Sequence, residues 1–195
     1  MPTFNTRSFE AQDKCLIVED KCLIMVVQEH QKKTEQLTAL NKAIQAYIKN
    51  LDKSSEVNPR TENITFSDFF DNKMLVIKTI RKGLTYKLFS KIKDVTPFSE
   101  DDWAVYLNLS KKTLQRHQND ADYLFKPIHT EKIIELAEAT HFGKEVFDTT
   151  EQFYLWLNTP SFALGNLKPA ELLKDSYGKE LVMAELNRID QGIFT

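Results

Sequence analysis

Ser99-Glu100-Asp101-Asp102-Trp103-Ala104-Val105-Tyr106-Leu107-Asn108-Leu109-Ser110-Lys111-Lys112-Thr113-Leu114-Gln115-Arg116-His117-Gln118 is the stretch whose reading decides the fold. Ser99 supplies a capping hydroxyl, and three acids follow in the first turn, where the helix dipole favours negative charge. The helix they open runs through Trp103, Ala104 and Leu107. Asn108-Leu109-Ser110 then makes a sharp turn, and Ser110 caps a second helix beginning at Lys111. Two helices that cross steeply need a small residue at their closest approach, which Ala104 provides. Trp103, Leu107, Leu109 and Leu114 supply the shared apolar core. The turn also needs a residue that tolerates positive φ, and asparagine is the best choice after glycine. With Leu114 facing inward, Ser110, Lys111, Lys112, Thr113, Gln115 and Arg116 remain outward. Such side chains contact phosphates and read base edges in a major groove, arginine matching guanine and glutamine matching adenine. The pattern predicts a helix-turn-helix with those six residues on its DNA face.

Charge along the rest of the chain is partitioned in a way that fits this reading. Residues 1–72 carry 9 basic and 11 acidic side chains, residues 73–126 carry 11 and 6, and residues 127–195 carry 6 and 11. The net +5 of the middle therefore sits beside a net −5 at the end, although the whole chain is only −2. Polyanion binding is expected in the middle alone, with a different partner for the acidic end.

Composition excludes several classes. The five glycines are scattered, so the chain has neither a Walker loop nor a dinucleotide-type glycine loop, both of which bring several glycines against phosphate within one turn. Two cysteines, Cys15 and Cys22, and four histidines with no HExxH pair give no zinc site, and the thiols are expected to be reduced. The longest uncharged apolar run, Cys22 to Val27, is far shorter than the roughly 20 residues that span a bilayer. A cytoplasmic protein without cofactor, metal or membrane attachment is expected.

Working outward, the fold is expected to be mainly α. Residues 1–63 form an N-terminal extension and linker with an oligomerising role, residues 64–148 the helix-turn-helix domain, and residues 149–195 a small helical domain. In the extension, Lys14-Cys15-Leu16-Ile17 and Lys21-Cys22-Leu23-Ile24 are compatible either with two short strands joined at Glu19-Asp20 or with the start of a long helix. Leu37, Leu40, Ile44, Tyr47, Ile48 and Leu51 then recur at helical spacing. Residues 52–63 read as the linker. Ser67 is expected to cap a helix whose inner stripe is Phe66, Phe69, Phe70, Met74, Ile77 and Ile80, ending at Gly83. A helix from Thr85 to Asp94 follows. Beyond the reading helix, His129-Thr130 opens a helix that ends near Phe142-Gly143, with a short piece from Lys144 to Asp148. Thr149 caps a helix carrying Phe153, Trp156 and Leu157. Pro169 starts another, and a last helix after Tyr177-Gly178 buries Leu181, Val182, Leu186 and Ile189.

Several motifs occur here in a specific order. Trp156-Leu157-Asn158-Thr159-Pro160-Ser161-Phe162-Ala163-Leu164-Gly165, Pro169-Ala170-Glu171-Leu172-Leu173, Gly178 and Leu186-Asn187-Arg188-Ile189-Asp190-Gln191-Gly192 together resemble the toxin-binding domain of the Xre/MbcA/ParS antitoxin family. Ile80-Arg81-Lys82-Gly83-Leu84 and Leu109 to Arg116 are similar to the helix-turn-helix half of the same antitoxins, so the likeness spans about residues 75–195. The chain departs from the family in having Asn166 in place of a second glycine and His117 in place of a second arginine.

The resemblance implies an antitoxin paired with a RES-domain toxin that depletes NAD, neutralising it by occlusion and repressing their shared operon through the helix-turn-helix. It points to Trp156, Pro160, Leu164, Gly165, Arg188, Ile189, Gly192, Ile193 and Phe194 as toxin-binding residues, the last five approaching the toxin's active-site cleft. Expected partners are that toxin, operator double-stranded DNA and a second copy of the chain within a larger complex. The competing reading is a stand-alone helix-turn-helix regulator whose C-terminal half dimerises. An enzyme is not expected, because no nucleophile and base stand at a catalytic spacing.

Overall fold

A computed structural model describes residues 7–52 and 64–193, which fold into ten α-helices with no sheet among them. The first helix, α1 (Arg7–Asp52), is 46 residues long and takes in both apolar runs that were compatible with strands. A two-residue hairpin turn needs positive φ, which Glu19-Asp20 does not favour. No glycine or proline occurs between Arg7 and Asp52 to interrupt the helix. The expected linker, from residue 53 onward, lies outside the described residues.

The C-terminal half of α1 belongs to the main core. Leu40, Ile44, Tyr47, Ile48 and Leu51 are buried in one apolar cluster with the helices that follow. Tyr47 Oη donates to the Gly83 carbonyl at 2.5 Å, and burial pushes its phenol up to about 12. Lys82 Nζ donates to the Asn50 carbonyl at 2.9 Å.

The next segment corrects the expectation of one helix capped by Ser67. Thr65 is the cap: its hydroxyl accepts from the Asp68 amide, and the Asp68 carboxylate accepts from the Thr65 amide at 2.9 Å. Helix α2 (Phe66–Asp71) then stops, and Asn72 starts α3 (Lys73–Lys82) by accepting from the Leu75 amide at 3.1 Å. The break resets the helical phase. Leu75 and Thr79 face the core, whereas Met74 is 63% exposed and Ile77 is also exposed. Gly83 ends α3 at φ +94°, and a Cβ there would run into the Phe125 carbonyl oxygen.

Helix α4 (Tyr86–Val95) is capped by Thr85. It is followed by α5 (Glu100–Tyr106) and α6 (Lys111–Gln118). The loop after α6 folds back over the start of α4. The Tyr86 and Lys87 amides donate to the Tyr123 and Ala121 carbonyls, so backbone groups left open at the helix end find partners. The buried Thr130 hydroxyl accepts from the Leu84 amide at 3.0 Å and donates to the Phe125 carbonyl. Phe89 sits at the centre, edge-on to Trp103 at 5.1 Å and to Phe125 at 5.0 Å.

Helix α7 (Pro127–Phe147) starts with proline in its first turn, two residues earlier than expected, and runs unbroken through Gly143. That glycine does not stop the helix. A Cβ there would overlap the Phe153 ring, so Gly143 is the seat on which α8 (Thr150–Leu157) packs. At the junction, Asp148 takes φ +59°. A 3-10 turn at Phe162–Leu164 and the short α9 (Pro169–Leu172) lead into α10 (Ser176–Asp190), which lies along α7 and α9. Glu138 on α7 joins three elements, accepting from Lys73 of α3 at 3.0 Å and Lys179 of α10 at 2.6 Å. Burial raises its carboxyl, but the two lysines outweigh that and hold it below the usual range. Tyr106 Oη donates to the Ala170 carbonyl at 3.1 Å, tying α5 to α9.

The last helix starts earlier than expected, with Gly178 buried in its first turn and Leu181 facing outward. A Cβ on Gly178 would overlap the Leu172 carbonyl oxygen and lie 2.7 Å from its carbonyl carbon. Alanine is the better helix former by about 1 kcal/mol, yet the clash is with backbone that cannot swing aside. Gly178→Ala should therefore destabilise, by about 1–3 kcal/mol as overpacking does. The expected drop in melting temperature is roughly 3–10 °C for a chain of this size. An unchanged or raised melting temperature would show that α9 and α10 do not approach this closely.

Candidate nucleic-acid interface and partner-binding surface

Helices α5 and α6 form the expected helix-turn-helix. Ser99 and Asp102 make a reciprocal capping box, with the Ser99 amide donating to the Asp102 carboxylate at 2.8 Å and the Asp102 amide donating to the Ser99 hydroxyl at 3.2 Å. Asn108 takes φ +51° in the turn, and the Leu109 amide donates to the Ala104 carbonyl at 2.9 Å. Ser110 caps α6, accepting from the Thr113 amide at 3.0 Å, and its hydroxyl also shares a hydrogen bond with the Thr113 hydroxyl. Leu114, 2% exposed, pins the helix to the core next to Trp103 and Leu107.

With Leu114 fixed, Lys111, Lys112, Gln115 and Arg116 are exposed on the opposite side and Thr113 is half-buried. The first turn of α5 faces this basic helix. Lys111 pairs with Asp101, and Gln115 Nε2 donates to Glu100 at 3.5 Å. Glu100 also accepts from Lys93 at 2.9 Å, and that bond, together with the Lys93 charge and Gln115, holds its carboxyl below the usual range. Lys112 and Arg116 have no ion pair among the described residues, so they are the cations most available to a phosphate or a guanine edge. His117 is turned to another use. Its ring stacks on Tyr123 with centroids 3.5 Å apart, and burial followed by the nearby Arg116 charge lowers its pKa, against the opposing pull of Asp120. A neutral ring lying on tyrosine does not replace a phosphate-binding arginine.

The residues assigned to toxin binding fall into three places. Trp156 is half-buried on α8, its ring 5.5 Å from Phe147 and 6.0 Å from Phe153. Pro160, Leu164 and Gly165 belong to the connection after α8. There Ser161 and Leu167 pair as an isolated bridge, and Gly165 and Asn166 both adopt left-handed φ, at +68° and +60°. Arg188, Ile189, Gly192 and Ile193 come together at the end of α10. The Ile193 amide donates to the Arg188 carbonyl and the Gly192 amide to the Ile189 carbonyl, both at 2.9 Å, so the helix ends in a Schellman motif with Gly192 at φ +68°. Arg188 pairs with Glu185 at 2.7 Å. Phe194 lies outside the described residues.

Three exposed residues in this region were missed by the sequence reading. Phe162 is 81% exposed, Tyr177 is 83% exposed, and Leu181 is 55% exposed although it was placed on the inner stripe. The signal for the last two was the series Gly178, Val182, Leu186, spaced by four. Once Gly178 faces inward, Tyr177 and Leu181 must face out.

Among the described residues, no helix is long and apolar enough to cross a membrane and no group of His, Cys, Asp or Glu could hold a metal ion. No curated protein matches the chain. Two family models do. The antitoxin Xre-like helix-turn-helix domain matches residues 75–138, which include α5 and α6, and the antitoxin Xre/MbcA/ParS C-terminal toxin-binding domain matches residues 143–192, which include α8 to α10. Together they span more than half of the chain in the order expected from its motifs, and the chain belongs to the Xre/MbcA/ParS-type antitoxins.

Proposed function

We propose that this antitoxin neutralises a RES-domain toxin that depletes NAD, and that it represses the operon encoding both proteins through α6. The observation that carries the reading is the pairing of two unlike surfaces in one chain. The exposed Lys112 and Arg116 of a capped, Leu114-pinned helix suit DNA, and the acidic module after it matches the toxin-binding domain of the family. Neutralisation is by covering: the end of α10, from Arg188 through Phe194, enters the toxin's active-site cleft, with Trp156, Pro160, Leu164 and Gly165 shaping the module that presents it. The chain itself catalyses nothing in this scheme and works in the cytoplasm. Residues 1–63 serve as the extension, 64–148 as the DNA-reading domain and 149–195 as the toxin-binding domain. Two copies of the chain place two reading helices on successive half-sites of the operator, as helix-turn-helix dimers do.

The test is co-purification with the product of the adjacent gene, followed by mass measurement and a shift assay on the operon's promoter. A stable complex that binds the promoter more weakly as salt rises is expected, because lysine and arginine displace counterions from phosphates. Promoter binding with no capture of the neighbouring product would favour the stand-alone regulator instead.

A further inference from the structure

On α10, inward-facing Gly178, Val182 and Leu186 hold the helix against the rest of the protein and so fix which side it shows to solvent. The outward side presents Tyr177, Leu181 and Ala184, all exposed and spaced by four and three residues, with Glu180 and Asn187 on the flanks. Several side chains beside it already have partners within the protein, Glu185 and Arg188 among them. Lys179 reaches across to Glu138, and Asn187 bonds back to the Met183 carbonyl. An apolar row at i, i+4 and i+7 with polar flanks is the pattern by which one helix lies in a groove of another protein. A largely exposed tyrosine is also the kind of anchor that dominates such interfaces.

We infer that the Tyr177–Leu181–Ala184 face of α10 is what grips the toxin, seating in an apolar groove with a basic rim, and that this grip is separable from the occlusion performed by the end of the same helix. The inference rests on the toxin-binding reading proposed above. The occupant follows from three observations. The whole face lies inside residues 143–192, the part that matches the toxin-binding domain. It continues directly into Arg188, so a partner seated on it has the helix end within its reach. The matched part is also net acidic, with 8 acidic against 5 basic side chains over residues 143–192, which opposes pairing with a second copy of itself and favours a basic partner. Gripping residues set how tightly the two proteins hold, and the end of the helix sets whether the toxin's cleft is open.

The experiment uses the full chain co-expressed with the toxin of the adjacent gene. Leu181→Asp and Tyr177→Ser, both at exposed positions, are expected to leave the melting temperature and promoter binding unchanged and to weaken the toxin complex at least tenfold. Leu181→Met should retain it. A chain lacking residues 188–195 should still co-purify with the toxin while failing to silence it. If the wild-type chain captures the toxin and Leu181→Asp captures it equally well, the grip lies elsewhere and the inference is overturned, although the antitoxin reading stands. If Leu181→Asp instead halves the mass of the free chain, the face joins two copies and the inference is likewise overturned. Failure of the wild-type chain to capture the toxin at all would remove the reading on which the inference depends.

Discussion

Removing Arg188 to Thr195 is expected to free the proposed toxin: in cells making both proteins, NAD should fall to the level seen with toxin alone. The structure explains why so short a deletion can act without unfolding the module. Val182 and Leu186, the fully buried residues of α10, lie before the cut, as do Gly178 and the Lys179–Glu138 pair. What is lost is the last turn, with the Arg188–Glu185 pair and the two Schellman hydrogen bonds, all at the surface or half-buried. Helicity by circular dichroism should therefore drop only by that turn, and promoter binding should persist. A truncated chain that remains folded while NAD holds level would show that occlusion does not depend on this end of the protein.

Arg116→Ala is expected to produce the second large effect, on DNA. A bidentate arginine contact to a guanine edge is worth about 1–3 kcal/mol of discrimination, or roughly five- to 150-fold in affinity. The variant should lose operator affinity in that range and relax its preference at one base pair, while its melting temperature and its capture of toxin stay the same. Lys112→Ala should behave differently, weakening binding to all sequences alike and reducing the salt slope by about one, as loss of a phosphate contact does. Should Arg116→Ala bind the promoter as tightly as the wild type in a shift assay, α6 is not the reading helix.

The two effects are expected to separate because the side chains that join the two modules are not the ones that carry either effect. Tyr106 on α5 donates to Ala170 on α9, and Glu138 holds α3 and α10 together, so the modules are held as a unit. Neither Arg116 nor the end of α10 takes part in these bonds. Lys111 and Gln115 are less independent, since Asp101 and Glu100 occupy them in the free protein. Phosphates must displace those acids before either side chain can contribute fully.

At the caps and turns of the reading helix pair and of the last helix, local rules let the sequence by itself determine the structure, although the Thr65 cap was missed in favour of Ser67. Ser99 with Asp102, Asn108 in its turn, Ser110 with Thr113, and Gly192 after the last helix are short-range hydrogen-bond or backbone requirements, and they stand where the residue types put them. Charge segregation and the order of the family motifs were equally legible, because both are written in composition and spacing. Only the tertiary structure decided which of several apolar residues face the core. Asn72 breaks α2 from α3 and turns Met74 outward, since a cap that takes over one amide resets the phase of all that follows. Gly143 lies mid-helix because the Phe153 ring, ten residues later, has to pack on it. Gly178 faces inward because the Leu172 carbonyl leaves no room for a Cβ, and that contact turns Tyr177 and Leu181 to the surface. Each of these depends on an atom distant in sequence or on a helix's absolute rotation, and periodicity gives the spacing of a stripe without saying which way it points.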